Sequence, residues 1–204
     1  LLAKHKKNTL ATRFRGLLPV VIDVETTGLN PATDGLLEIA AVTLALDKEG
    51  KLSRGQTYAY QIEAFPGANL DPRALEITGI DPGYPLRYAL PERQALHRVF
   101  SVIRKCLAET QCQRAVLVGH NAWFDLTFLQ MAAKRSHIKS VPFHSFTSFD
   151  TATLAAVFLG ETVLAKAMRR AHIPFDVNQA HSAIYDAEKT AELFCYMANR
   201  VKFL

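Results

Sequence analysis

Residues 18–28 read Leu18-Pro19-Val20-Val21-Ile22-Asp23-Val24-Glu25-Thr26-Thr27-Gly28. The run up to Ile22 is apolar and β-branched, the pattern of a buried strand. Side chains alternate faces along a strand, so Asp23 and Glu25 share one face while Ile22 and Val24 face the core. Two acids side by side in a buried strand repel each other and lose hydration, unless a cation or a shared proton compensates them. A hard divalent metal with oxygen ligands is the usual partner for such a pair.

Outward from this strand, Thr26-Thr27-Gly28-Leu29-Asn30-Pro31 is turn chemistry. A second strand is expected over Leu36 to Leu46, with Glu38 its only acid, and a third over Thr57 to Ile62 after the polar loop Asp47-Lys48-Glu49-Gly50-Lys51. Short loops make these three strands antiparallel. Asp71-Pro72 opens a short helix that Gly79 ends. Pro91 to Thr110 is amphipathic, with Leu96, Val99, Phe100, Ile103 and Leu107 on one face. Ala115 to Val118 is a short buried strand ending at Gly119-His120-Asn121. Asn121 is the expected cap of the next helix, which places Asp125 near its first turn, where the helix dipole favours an anion. Ser148 to Thr151 passes from a strand into a helix, with Asp150 as its cap. Thr162 to Ala171 is a further helix. A last one from about Ala183 turns Ile184, Ala187, Ala191, Phe194, Met197 and Val201 inward. The pattern is one α/β domain over residues 1–204, antiparallel at first, then short strands alternating with helices.

The 204 residues are enough for one sizeable core, and 49% hydrophobic with 21% charged is ordinary globular composition. No apolar run reaches the ~18–20 residues of a membrane span, so no membrane partner is expected. A net charge of +5 suits an acidic partner, nucleic acid first. Residues 1–16 form a basic N-terminal arm with Lys4, Lys6, Lys7, Arg13 and Arg15, and the chain opens on Leu1-Leu2 rather than Met, as a trimmed N-terminus would. Three cysteines, none in a CxxC, argue against a disulfide framework and suit a reducing cytoplasm. His172 and the cysteines are assigned to packing, His120 to structure.

Asp23, Glu25, Asp125 and Asp186 each fall at a strand end or near a helix start, where sites gather in open α/β sheets. His181 precedes Asp186 by one loop. Three segments carry a specific resemblance: Asp23-Val24-Glu25-Thr26-Thr27-Gly28, His120-Asn121-Ala122-Trp123-Phe124-Asp125 and His181-Ser182-Ala183-Ile184-Tyr185-Asp186. Together they resemble the three motifs of the DEDDh family of 3′→5′ exonucleases and, within it, the ribonuclease T branch. That resemblance implies an RNase H-like mixed sheet, three antiparallel strands then shorter parallel ones, flanked by helices. It also implies removal of nucleotides from the 3′ ends of tRNA and other structured RNA as 5′-monophosphates, extending to single-stranded DNA, by a homodimer.

The chemistry agrees. Two metals ~3.5–4 Å apart can activate the attacking water and stabilise the leaving oxygen. Asp23, Glu25, Asp125 and Asp186 can hold two Mg²⁺, with Mn²⁺ as a substitute. His181 can take the proton from the water, since an unperturbed histidine titrates at ~6.5. Phe124, beside Asp125, and Phe146, by resemblance, are candidates for stacking on bases. The resemblance also implies a base contact at Leu29 and Ile77, where the branch carries aromatics. Basic candidates are Arg13, Arg15, Arg114, Lys134, Arg135, Lys139, Arg169 and Arg170, some forming a patch that feeds RNA to the other subunit. A DNA proofreading exonuclease shares the same motifs, and a catalytically silent RNA-binding protein is a rival of another class.

Overall fold

Helix α1 (Leu10–Arg13) opens the described part of the chain, in a computed structural model that describes residues 9–201. Of the basic arm expected over residues 1–16, residues 1–8 lie outside the described residues. Thr9 caps α1 in a reciprocal box with Thr12, and Leu10 is buried in the core, so this part of the arm is docked.

Strand β1 (Leu17–Thr26) then runs through the middle of the sheet, buried along most of its length. It pairs antiparallel with β2 (Leu36–Leu46), which pairs antiparallel with β3 (Leu52–Glu63). The third strand starts five residues earlier than its hydrophobicity suggested. Its first part is polar and exposed, and only pairing with Leu44, Ala45 and Leu46 makes it a strand. Helix α2 (Pro72–Thr78) is bounded as its sequence indicates: the Asp71 carboxylate accepts the Arg73 N–H, and Gly79 closes the helix at φ 66°.

A two-residue strand β4 (Leu90–Pro91), parallel to β3, leads into α3 (Glu92–Thr110). Strand β5 (Arg114–Gly119) lies parallel to β1 on its other side. Helix α4 (Trp123–Arg135) follows, then β6 (Phe143–Asp150), parallel to β5. Helices α5 (Thr151–Leu159), α6 (Leu164–Arg170) and α7 (Ala183–Ala198) complete the chain. The strand order is β4-β3-β2-β1-β5-β6, the mixed sheet expected.

Helix α7 lies across β1, β2 and β3, and α3 and α4 also pack on the sheet. Ala183, Ala187 and Ala191 bury the face of α7 that continues to Phe194. That stripe turns Ile184 outward, 47% exposed, and Val201 lies past the helix end, 41% exposed; both had been expected inside. The apolar stretch 151–170 is broken by Gly160 at φ 64° into two short helices. The longer has nine residues, about 14 Å, against the ~30 Å of a bilayer core.

Because β1, β5 and β6 are parallel, their carboxyl ends line one edge of the sheet. Ligand sites in open α/β sheets form along that edge.

Candidate active site

Asp23 and Glu25 stand at the end of β1, and Asp186 in the first turn of α7. One carboxylate oxygen from each lies within 4.8 Å of the others. Asp125, only 3% exposed, stands in the first turn of α4 beside them, and its Oδ1 accepts the Val24 N–H at 3.1 Å. Gly119 makes this approach possible. A Cβ there would lie 3.0 Å from Asp125 Oδ2 and from Ala122 Cα.

Burial holds every one of these acids above the usual carboxylate range. Asp23 is raised well above it by burial, then by Asp125, Glu25, Asp186 and Glu38. Glu25 is pushed up to about 8 by burial, then by Asp186 and Glu38. Asp125 and Asp186 are also raised, chiefly by burial, although each accepts a backbone N–H that works the other way. Among the described residues no cation is paired with this group of three acids. The Asp186 Oδ2 accepts the His181 N–H at 2.9 Å, while its Oδ1 is buried with no partner among the described residues. A buried carboxylate oxygen with no donor, beside two further acids, is a set of ligands for a divalent cation.

His181 is exposed, with its backbone at φ 65°. That left-handed turn presents its N–H to Asp186 while the residue itself stays open to solvent. Asn121 also has a left-handed backbone, φ 66°. Its side chain is not the cap expected of it. Instead Asp150 Oδ1, 29 residues away, accepts the N–H groups of Asn121 and Ala122 at 2.8 and 3.3 Å, and Asp150 also caps α5. His120 has the structural role expected: one ring nitrogen lies 3.0 Å from Thr151 Oγ1 and the other 2.7 Å from the Thr162 carbonyl, and burial lowers its pKa.

The apolar candidates differ in exposure. Leu29, Ile77 and Phe146 are 79%, 61% and 82% exposed. Phe124 is half-buried, with its ring 4.8 Å from Phe128, while its neighbour Trp123 is the exposed ring. The loop carrying Leu29 is fixed from beneath. Buried Asp34 accepts from the Asn30 N–H, the Thr33 hydroxyl and the Asn69 amide. Gly28 packs so closely on it that a Cβ would come within 2.1 Å of the carboxylate.

The basic candidates divide. Arg15, Arg114 and Lys139 are exposed, as are Lys134 and Arg169. Arg13 is instead half-buried, its guanidinium donating to the carbonyls of Gly50 and Ala198. Arg135 is no surface charge: it forms a two-pronged pair with buried Glu92 and stacks on Phe65, 3.9 Å from the ring centre. His172 is exposed rather than packed, and Cys112 and Cys195 are buried. Glu38 is an acid near Asp23 and Glu25 that the sequence reading did not assign to the site. It pairs with Glu25 in the β1–β2 register, and its signal was a lone acid in an otherwise apolar strand.

An RNase H-like sheet with a buried acidic cluster at its carboxyl edge defines a divalent-metal nuclease. The chain belongs to the exonuclease family: the RNase_T model, described as "Exonuclease", matches residues 20–194. It is a hydrolase, a 3′→5′ exonuclease. Ribonuclease T of Photorhabdus laumondii is 56% identical over 201 residues, covering 98% of this chain and 93% of that protein. Ribonuclease T of Marinobacter nauticus is 59% identical over 191 residues, 94% of this chain and 86% of its own. Among solved structures, a 3′-exonuclease that recognises a histone mRNA stem-loop aligns over 89% of this chain with a TM-score of 0.70 and 17% identity. E. coli Exonuclease I with a dT13 oligonucleotide aligns over 90%, with a TM-score of 0.67 and 18% identity. This chain spans 63% and 41% of those two chains, and they share its fold.

Proposed function

We propose that the protein is a 3′→5′ exoribonuclease that trims the 3′ ends of tRNA and other structured RNAs and also degrades single-stranded DNA. Asp23, Glu25, Asp125 and Asp186 hold two Mg²⁺, for which Mn²⁺ can substitute. The observation that carries this reading is the meeting of Asp23, Glu25 and Asp186 within 4.8 Å, with one Asp186 oxygen unpartnered among the described residues. When bound, the cations supply a strong nucleophile at neutral pH and offset the charge that builds on the phosphate. His181 takes the proton from the attacking water. Its oxygen bonds to phosphorus as the bond to the preceding nucleotide's O3′ breaks, releasing a nucleoside 5′-monophosphate. Leu29, Ile77 and Phe146 give the last bases apolar faces, with Phe124 behind them.

Arg15, Arg114 and Lys139 serve a different copy of the chain. Arg114 pairs with Leu17 at the start of β1. Asp23 lies six residues further on, about 20 Å at ~3.3 Å per residue. A patch that far from the acids reaches a 3′ end in a cytoplasmic homodimer, where it holds RNA entering the partner's site.

The test is incubation with Mg²⁺ of 5′-labelled tRNA precursor, a duplex with a 3′ overhang and single-stranded DNA. RNA shortened from its 3′ end, with 5′-monophosphates released and EDTA abolishing both, supports the reading. A strong preference for DNA would favour a proofreading enzyme. Binding without turnover would favour a silent RNA-binding protein.

A further inference from the structure

Trp123 is the only tryptophan in the chain, and it stands 66% exposed at the first position of α4, just ahead of Asp125. A helix turns about 100° per residue, so these two residues face nearly opposite ways, the acid inward and the indole to solvent. Phe124 lies between them, its ring 4.8 Å from Phe128 and 5.9 Å from the indole, edge to face at 89°. The backbone under the indole is fixed. Asp150 accepts the N–H of buried Ala122, and the Trp123 carbonyl accepts the Thr127 hydroxyl at 2.6 Å. Thr127 and Gln130 share the face of α4 that carries Trp123. Gln130 Nε2 donates to the Ser145 carbonyl at 2.6 Å, which brings that face against the segment carrying Phe146. Trp123 and Gln130 are about 10 Å apart along the helix, at ~1.5 Å per residue.

We propose that Trp123 is a base-contact residue: its indole stacks on a base of the single strand upstream of the nucleotide being removed. This rests on the reading of the protein as a nuclease that takes a single-stranded 3′ end, and it adds a contact to that reading. Facing away from Asp125, the indole is not placed for the nucleotide whose phosphate meets the acids. A stacked strand rises ~3.4 Å per base, so the strip from Trp123 to Gln130, beside Phe146, has the length of about three nucleotides. Every base has a π face, so the contact serves any sequence. Leu29 and Ile77 are aliphatic and supply no such face. Tryptophan orders only two side-chain torsions on binding, and its backbone is already held, so little entropy opposes the contact.

The single indole makes the contact observable, because a base stacked on it quenches its fluorescence. The full chain carrying Asp23→Asn should bind a strand without cutting it. Titrating that variant with a short oligoadenylate should quench the emission in step with binding, followed separately by the anisotropy of a labelled 5′ end. In otherwise wild-type protein, Trp123→Ala should raise KM on the same strand by about 5–30-fold, the lower part of the range for a stacked base, with kcat within about threefold. The loss should shrink to under about twofold on a dinucleotide, which is too short to reach the indole.

Two further variants separate stacking from support of Phe124. Trp123→Phe keeps a π face and should stay within about threefold of the wild type. Trp123→Leu covers Phe124 without a π face and should be as impaired as Trp123→Ala. Binding with no change in emission overturns the proposal. So does an unchanged KM in Trp123→Ala, or an equal loss on the dinucleotide and the longer strand. Rescue by Trp123→Leu would make the indole a support for Phe124 and overturns it too. Should Trp123→Ala fail to fold, the emission titration and the comparison of Trp123→Phe with Trp123→Leu decide on the same terms. Wild-type protein that binds the strand with quenching but never cuts it would sink the exonuclease reading and leave this one standing. Cutting with unquenched emission would sink this one alone.

Discussion

Replacing Glu25 with Gln should stabilise the metal-free protein, increasingly as the pH rises from about 4.5 to about 8. The acid ionises near 4.5 in the unfolded chain and near 8 in the folded one. Between those values the native state holds a proton that the unfolded state has released. Stability therefore falls as pH rises, and above about pH 8 the whole penalty is present. The step from 4.5 to about 8 sets a ceiling of ~5 kcal/mol, at ~1.4 kcal/mol for each tenfold change in proton affinity. Screening by water in the cleft lowers this to about 2–4 kcal/mol. Gln has the same shape without the charge. In EDTA at pH 8, Glu25→Gln should melt about 5–15 °C above the wild type, and at pH 4.5 the two should coincide. Saturating Mg²⁺ should reverse the order, because the wild type then gains a ligand bond that the amide lacks. Thermal melts at the two pH values, with and without metal, decide it. A difference independent of pH, or none at pH 8, would refute the assignment of Glu25 to a strained, metal-requiring group.

Asp23→Asn, Asp125→Asn and Asp186→Asn should each lose at least ~10³-fold in kcat, about 4 kcal/mol of transition-state stabilisation; near-normal turnover in any one removes that residue from the site. His181→Ala should lose ~10²–10⁴-fold while binding Mn²⁺ as the wild type does, and calorimetry showing lost affinity would assign it to the ligands. Mixing inactive His181→Ala with a variant carrying Ala at Arg15, Arg114 and Lys139 should restore activity that neither has alone, through mixed dimers; no recovery would mean that the patch does not act across subunits. Phe146→Ala should raise KM on single-stranded substrates by about 5–150-fold, the worth of a stacked base, and an unchanged KM would leave the ring as an idle surface group.

The sequence disclosed the fold wherever the structure depends on neighbours along the chain. The apolar run before Asp23 and the Asp71-Pro72…Gly79 punctuation translate directly into β1 and α2. It was silent where the partner is distant. Residues 52–56 look like a loop because their strand character comes from β2. The Asn121 turn is held by Asp150 rather than by its own side chain. Arg135 resembles any surface arginine until Glu92 and Phe65 close around it. Glu38 stands out in the sequence as the one acid within Leu36 to Leu46, but periodicity along one strand does not show that it comes to lie opposite Glu25 on the next.

Gly28 and Leu29 are adjacent in the chain and subject to opposite rules. Gly28 can accept no side chain without colliding with Asp34, whereas Leu29 projects into solvent and supports nothing inside the protein. Ile77 is similarly free on α2. Exchanges at such exposed positions usually alter folding stability by less than about 0.5 kcal/mol. On the proposed reading, in which Leu29 and Ile77 meet the terminal base, that surface can drift without endangering the acidic cluster. In a lineage under changing demand, preference among 3′ ends would diversify at Leu29 and Ile77 while Gly28, one bond away, stayed fixed.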